Sequence, residues 1–209
     1  DQLTLDTDTV FSGWDNTLGR FTLVSEADPA WIPVIRAQGY GGLLHGSYGA
    51  DHIIGGPNVE TILPGSGDDI IEAGGSPDRI VLNDVYMDQG TRGVGRKHIW
   101  GQGDNDIIET PLHHGLTFHY DRGDGDDRIE YDWSYSWQHP YRFSFDAVTN
   151  SLRFQAYGED TLAFGADITL ADLRFVRTGA TLTIALRDGA GSVTVADFFH
   201  AWEVDATSG

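Results

Sequence analysis

Residues 46–81 read GSYGADHII, GGPNVETIL, PGSGDDIIE and AGGSPDRIV, which are four consecutive units of nine residues. The sixth position of each unit is acidic, namely Asp51, Glu60, Asp69 and Asp78, and the eighth position is always isoleucine. Each unit therefore predicts a glycine-rich turn of about six residues, followed by a short strand with one inward apolar side chain. Two units would make one coil of about 18 residues.

This period predicts which side chains stack on one another. Residues two units apart would lie in neighbouring parallel strands, roughly 4.8 Å apart. The expected pairs are Asp51 with Asp69, Glu60 with Asp78, Ile53 with Ile71 and Ile62 with Ile80. Carboxylates this close repel one another unless a cation lies between them. Together with turn carbonyls they offer the roughly six to eight oxygens that Ca²⁺ prefers.

The composition agrees with an acidic, turn-rich β protein. The chain has 32 Asp and Glu against 13 Lys and Arg, a formal charge of −19, and 25 of the acids are Asp. Asp and Gly (27 residues) favour turns, whereas Glu favours helices. With a single Lys, the chain is a poor partner for nucleic acid or an anionic membrane. The absence of Cys excludes disulfides and zinc–thiolate sites, and no apolar run reaches the ~18 residues needed to span a bilayer.

Two similar turns follow after an interruption. WGQGDNDIIE starts at Trp100, and DRGDGDDRIEY starts at Asp121. Their spacing differs from the coil length, so they predict either a second small roll or a continuation of the first roll with a bulged coil. Residues 82–98 break the register and are interpreted as an insertion or loop.

The repeats resemble the RTX nonapeptide GGxGxDxUx, found in secreted calcium-binding proteins. The resemblance implies a right-handed parallel β-roll, in which Asp carboxylates and the backbone carbonyls of turn glycines hold several Ca²⁺ ions between successive turns. The match is weaker at Glu60, where GGPN replaces the usual turn. The implied metal-site residues are Asp51, Glu60, Asp69, Asp78, Gly49, Gly65, Gly67, Asp68, Gly101, Gly103, Asp104, Asn105, Asp106, Gly123, Gly125, Asp126 and Asp127.

From Asp160 onward the pattern changes to longer alternating strands with hairpin-type turns. This segment resembles the domain that closes many RTX arrays, and such a cap would cover the open edge and core of the roll. The predicted organisation is an all-β chain with an N-terminal flanking segment (1–42), a first roll block (43–81), an insertion (82–98), a second roll block (99–131), an aromatic-rich hairpin (132–159) and an antiparallel β cap (160–209).

The resemblance implies a calcium-binding module that folds on meeting extracellular calcium. We expect it to belong to a larger bacterial protein exported by a type 1-like secretion system, whether a toxin, an adhesin or an exoenzyme such as a protease or lipase. No catalytic motif is present, so we expect no enzyme activity from this piece, which should be a monomer. The alternative is an adhesin domain that binds a glycan, a peptide or a host-cell surface ligand through the aromatic residues of 132–145.

Two weaker signals have ordinary explanations. His113, His114 and His119 are close in sequence, but neighbouring strand residues point to opposite faces, so a zinc site is disfavoured. Asp28-Pro29 is interpreted as an ordinary loop. Phosphate-binding loops are excluded, because the turns lack a Lys and carry acids that repel phosphate.

Overall fold

The computed structural model of the chain describes residues 11–15, 20–23, 34–37, 41–46, 49–82, 95–111, 115–132, 142–155 and 159–199. Within these ranges the fold is all-β, with one 3-10 turn at Leu170–Asp172. The strands are β1 Phe11–Asp15, β2 Arg20–Leu23, β3 Val34–Arg36, β4 Leu43–His45, β5 His52–Ile54, β6 Thr61–Leu63, β7 Asp69–Gly74, β8 Arg79–Val81, β9 Lys97–Gln102, β10 Ile107–Pro111, β11 Leu116–Tyr120, β12 Gly125–Asp132, β13 Arg142–Asp146, β14 Ser151–Gln155, β15 Glu159–Phe164, β16 Leu173–Thr178, β17 Thr181–Leu186 and β18 Gly191–Val195.

Two eight-stranded sheets contain all strands except the β1–β2 hairpin. The first sheet has the order β13-β14-β15-β11-β9-β7-β5-β3, and the second has the order β16-β17-β18-β12-β10-β8-β6-β4. From β3 to β12 the chain enters the two sheets alternately, and each strand pairs in parallel with the strand one coil away. The expectation of an all-β fold with parallel strands is confirmed.

The core consists of two stacked columns of apolar side chains, one from each sheet. The column of the first sheet contains Ile35, Ile53, Ile71, Ile99, Phe118 and Leu162, and that of the second contains Leu44, Ile62, Ile80, Ile108, Ile129 and Val195. All twelve are buried and belong to one cluster. The expected stacking of Ile53 on Ile71 and of Ile62 on Ile80 is therefore confirmed.

The roll begins before the predicted boundary at residue 43. Strand β3 pairs in parallel with β5, and Ile35 lies opposite Ile53 in the same apolar column. The 1–42 flanking segment is thus shorter than expected, because β3 supplies a coil strand without carrying the nine-residue motif.

The insertion is also shorter than the expected 82–98. Leu82 is buried and its N–H donates to the carbonyl of Glu109, while β9 begins at Lys97 and pairs directly with β7. Residues 83–94 lie outside the described residues. Of the two interpretations of residues 99–131, the structure agrees with a continuation of the first roll, because Ile99 and Ile108 extend the apolar columns of the first block.

The C-terminal strands extend both sheets instead of forming a separate antiparallel layer. Strands β13, β14 and β15 are antiparallel to one another, but β15 joins β11 in parallel. In the same way β16, β17 and β18 are antiparallel, and β18 joins β12 in parallel. The predicted boundary at residue 160 therefore falls inside a roll strand, and residues 133–141 and 200–209 lie outside the described residues.

Candidate metal centre

Two columns of buried side chains lie at the N-terminal ends of the strands of the two sheets. The first column lies along the first sheet and contains Asp51, Asp69, Lys97, Leu116 and Asp160. The second column lies along the second sheet and contains Glu60, Asp78, Asp106 and Asp127. All nine residues are buried. These columns come from one repeat position, because a parallel register stacks equivalent residues of successive coils.

A repeating hydrogen bond links the members of the second column. The backbone N–H of each acid donates to Oδ1 of the acid one coil further on. The three distances are 2.7 Å from Glu60 to Asp78, 2.7 Å from Asp78 to Asp106 and 2.9 Å from Asp106 to Asp127. One oxygen of each of these three Asp carboxylates is thereby satisfied, and its position is set by the backbone of the neighbouring coil.

The other carboxylate oxygens of the second column have no hydrogen-bond partner among the described residues. They are Oε1 of Glu60 and Oδ2 of Asp78, Asp106 and Asp127. These residues are only 0–2 % exposed, so each such oxygen carries a desolvation cost that nothing in the described part of the chain offsets. Four oxygens of this kind follow one another along the column.

The same desolvation cost raises the pKa values of these carboxyls. Burial raises the pKa of Asp78 and of Asp106 to about 7, and that of Asp127 to about 8. The neighbouring acid of the column contributes to each of these rises. Burial also raises the pKa of Glu60. Desolvation and like charge both disfavour the ionised form, so the column favours either bound protons or a cation.

Glycine makes room for the carboxylate in this column. A Cβ added at Gly101 would lie 2.4 Å from Oδ2 of Asp106, so any other residue there would collide with the unpartnered oxygen. At the equivalent place in an earlier coil, a Cβ at Gly55 would lie 3.2 Å from Oε2 of Glu60. The turn thus holds a carboxylate oxygen against its backbone, where a carbonyl and a carboxylate could share one cation.

In the first column, Asp69 has a counter-ion from within the chain. Nζ of Lys97 lies 2.7 Å from Oδ2 of Asp69, and both side chains are fully buried. The same ammonium donates to the carbonyl oxygen of Gly67 at 2.5 Å. Oδ1 of Asp69 accepts the N–H of Asp51 at 2.9 Å, so both carboxylate oxygens of Asp69 are engaged. Burial raises the pKa of Asp69 to about 8, although the Lys97 ammonium opposes that rise.

Asp160 ends the first column, and it too is satisfied by the chain. Its Oδ1 accepts the N–H of Leu116 at 2.9 Å, which repeats the hydrogen bond seen between the acids. Its Oδ2 accepts the phenolic O–H of Tyr131 at 3.1 Å. Here a neutral donor takes the place that Lys97 fills beside Asp69.

The other predicted side-chain ligands are exposed, and they link neighbouring coils. Oδ1 of Asp68 accepts the N–H of Arg96, Oδ2 of Asp104 accepts the N–H of Ser76, Oδ1 of Asn105 accepts the N–H of Asp126, and Oδ1 of Asp126 accepts the Ser192 hydroxyl. They therefore lie on the turns of the roll without the burial that singles out the second column.

Two of the predicted glycine carbonyls already have partners. The carbonyl of Gly67 accepts Lys97, and that of Gly125 accepts the Tyr120 hydroxyl at 2.8 Å. Gly103 and Gly123 face open space where a Cβ would be. Gly65 adopts φ 80°, while Gly49 packs directly on the backbone of Gly67. Among these glycines, Gly49 and Gly67 lie against each other in successive turns, and the carbonyls of Gly67 and Gly125 are occupied by groups of the chain.

Sequence reasoning missed Lys97, although a signal for it exists. Residues 93–100 read GVGRKHIW, which aligns with GSGDDIIE once Gly95 is placed on Gly67. In that alignment Arg96 and Lys97 replace Asp68 and Asp69, so the unit is a repeat with reversed charge. The structure pairs Asp69 with Lys97 in neighbouring strands.

The remaining predicted features give no metal centre. His119 stacks on Trp100 with a ring-centroid distance of 3.7 Å and an angle of 3°, and burial lowers its pKa to about 4. His113 and His114 lie outside the described residues, as does most of the aromatic segment 132–145. In the part of the chain that the structure describes, no three His, Asp or Glu side chains converge as metal ligands, and no helix is long and apolar enough to cross a membrane.

Comparison with known proteins adds no relative. Neither a family model nor a curated protein matches the chain. The likeness to RTX proteins therefore rests on the nine-residue motifs and on the strand patterns of the C-terminal segment.

Proposed function

We propose that this chain is a calcium-binding β-roll module that depends on calcium for its folding. The observation that carries the proposal is the second column, in which buried carboxylates each leave one oxygen without a partner among the described residues. The RTX-like repeats support the same function and add the right-handed coil. The module would be part of a larger secreted bacterial protein, which the RTX likeness assigns to a type 1-like export system.

The charge balance favours a cation over protons at neutral pH. Asp78 and Asp106 have pKa values of about 7, so a metal-free roll at that pH must keep protons on part of the column or place like charges side by side. A divalent cation, when bound, neutralises two carboxylates at once. Its binding free energy is then folding free energy, as in other metal-dependent small domains.

The donor set favours calcium over transition metals. The second column offers only oxygen atoms, from carboxylates and turn carbonyls, with no sulfur or imidazole. Such donors suit hard cations. Ca²⁺ accepts irregular sets of about six to eight oxygens, whereas Mg²⁺ demands a small octahedron and retains water. A site that draws one carboxylate from each coil needs backbone carbonyls to complete it, and a flexible coordination shell is therefore an advantage.

Weak sites of this kind match calcium concentrations outside the cell. Extracellular modules bind calcium with Kd values of roughly 10⁻⁴–10⁻³ M, far above the free concentration in a cytosol. The chain would remain incompletely folded where calcium is scarce and would fold after export.

Circular dichroism in EGTA, in calcium and in magnesium tests the proposal. We expect β structure to increase in millimolar calcium and to change little in magnesium. Isothermal titration should show calcium binding over the same range. Identical spectra in EGTA and calcium, with no heat of binding, would rule the proposal out.

A further inference from the structure

Lys97 occupies a position at which the preceding coils of the first column carry acids. It pairs with Asp69 in the parallel register of β7 and β9, just as the residue after Asp51 pairs with the residue after Asp69 one coil earlier. It is the only lysine in the 209 residues, and its side chain is fully buried. A buried lysine is rare and costly unless it is paired, so its place in the column calls for a physical reason.

The contacts of its ammonium supply that reason. Nζ lies between a carboxylate oxygen, Oδ2 of Asp69 at 2.7 Å, and a turn carbonyl, that of Gly67 at 2.5 Å. A carboxylate and a turn carbonyl are the oxygen types that a calcium ion takes in proteins. The ammonium thus sits where a cation would complete the turn.

The second column shows the same level of the roll without a lysine ammonium. Asp106 follows Asp78 by 28 residues and stacks on it, and Lys97 follows Asp69 by the same number. Yet Oδ2 of Asp78 has no hydrogen-bond partner among the described residues, whereas Oδ2 of Asp69 has an ammonium. At this level of the roll, the two columns differ by one cationic side chain.

We propose that Lys97 is a fixed cation that replaces calcium in the first column between β7 and β9. Calcium then binds at this level through the second column alone. The calcium part of this proposal rests on the proposed function, but the role of Lys97 as the counter-ion of Asp69 does not. The Lys97 ammonium would hold β7 and β9 in register without calcium, whereas the second column at the same level requires calcium.

Counting bound calcium per chain tests the proposal. The full chain and three variants, Lys97→Asp, Asp69→Asn and Asp106→Asn, are dialysed against saturating calcium, and calcium is measured by mass spectrometry. We expect about one additional ion in Lys97→Asp, an unchanged count in Asp69→Asn and a lower count in Asp106→Asn. A folded Lys97→Asp variant without an additional ion, or the loss of an ion in Asp69→Asn, would overturn the proposal.

A second measurement keeps the proposal testable if Lys97→Asp does not fold. Thermal melts in saturating calcium compare Lys97→Met with the double variant Asp69→Asn/Lys97→Met. We expect Lys97→Met to melt roughly 10 °C lower, because it leaves a buried carboxylate without its cation, and the double variant to recover part of that loss. An unchanged melting temperature in Lys97→Met would reject the fixed cation. If the wild-type chain binds no calcium at all, the proposed function fails, and these melts still decide whether Lys97 is the counter-ion of Asp69.

Discussion

The first and second columns share one backbone arrangement, in which an N–H of one coil donates to a carboxylate of the next. They differ at the second carboxylate oxygen of particular acids. In the first column Asp69 meets Lys97 and Asp160 meets Tyr131, whereas in the second column Asp78, Asp106 and Asp127 each present an oxygen without a hydrogen-bond partner within the described residues. A single side chain one coil away therefore decides whether an acid at this repeat position has a partner from the chain or requires a cation.

The largest effect should come from breaking the ion pair of the first column. We expect Asp69→Asn to lower the free energy of unfolding by about 3–5 kcal/mol, because it leaves the buried Lys97 ammonium without a carboxylate. The loss should appear in urea titrations in calcium. Asp68→Asn is the matched control, since that side chain is exposed and an amide oxygen can still accept the N–H of Arg96. Equal losses in both variants would contradict the role of Lys97 as the counter-ion of Asp69.

The second column should make the metal-free chain sensitive to pH. The carboxyls of Asp78, Asp106 and Asp127 have pKa values of about 7 to 8 in the fold against about 3.9 when unfolded. The folded state therefore binds more protons between these limits, and its stability falls as the pH rises through that window. In EGTA we expect a gain of about 2–4 kcal/mol between pH 8 and pH 6.

Saturating calcium should reduce this gain, because the metal then holds the oxygens that protons would occupy in the second column. Asp69, whose pKa is also raised to about 8, keeps its own contribution. Urea titrations at pH 8, 7 and 6, each in EGTA and in calcium, measure both slopes. A metal-free chain that loses stability on acidification over this range would contradict the assignment of unpaired carboxyls to the second column.

A single substitution in the second column should change the stability of the fold in opposite directions in EGTA and in calcium. In EGTA we expect Asp106→Asn to stabilise the fold by about 1–3 kcal/mol, because it removes a buried charge without a partner. In calcium the same variant should be less stable than the wild-type chain, since a ligand is lost. Asp104→Asn, on the same turn but exposed, is the control. The same sign in both media for Asp106→Asn would show that this carboxylate does not bind the metal.

The smallest effect should come from the neutral donor of the first column. Removing the Tyr131 hydroxyl with Tyr131→Phe takes one hydrogen bond from Asp160 and should cost about 1 kcal/mol. Because both carboxylate oxygens of Asp160 accept hydrogen bonds from the chain, the cost should be equal in EGTA and in calcium. A loss confined to EGTA would indicate that calcium can replace the hydroxyl.

Much of the roll follows from local periodicity. The isoleucines at the eighth position of each unit predicted the stacking of Ile53 on Ile71, and the acids at the sixth position predicted the contact of Asp51 with Asp69. Both were found in the structure, because a parallel coil of constant length converts a sequence period directly into a spatial one.

Other features depend on interactions that the period does not contain. Strand β3 lacks the motif, and β18 pairs with β12 across a long stretch of chain, as in the contact of Ser192 with Asp126. The nine-residue period is interrupted after Leu82, so counting residues does not predict that Lys97 lies opposite Asp69. In the structure the coil nevertheless continues across the interruption. Whether an acid keeps an unpartnered oxygen depends on the residue one coil away. That residue can be identified only when the register of the neighbouring strands is known.

The location of the cations tests the central claim most directly. Crystals of the full chain grown in calcium, with data collected at a long wavelength, would show bound calcium as anomalous difference peaks. We expect peaks beside Oδ2 of Asp78, Asp106 and Asp127, and no peak between Asp69 and Lys97. Peaks in the first column at Lys97, or a second column without any, would contradict the account.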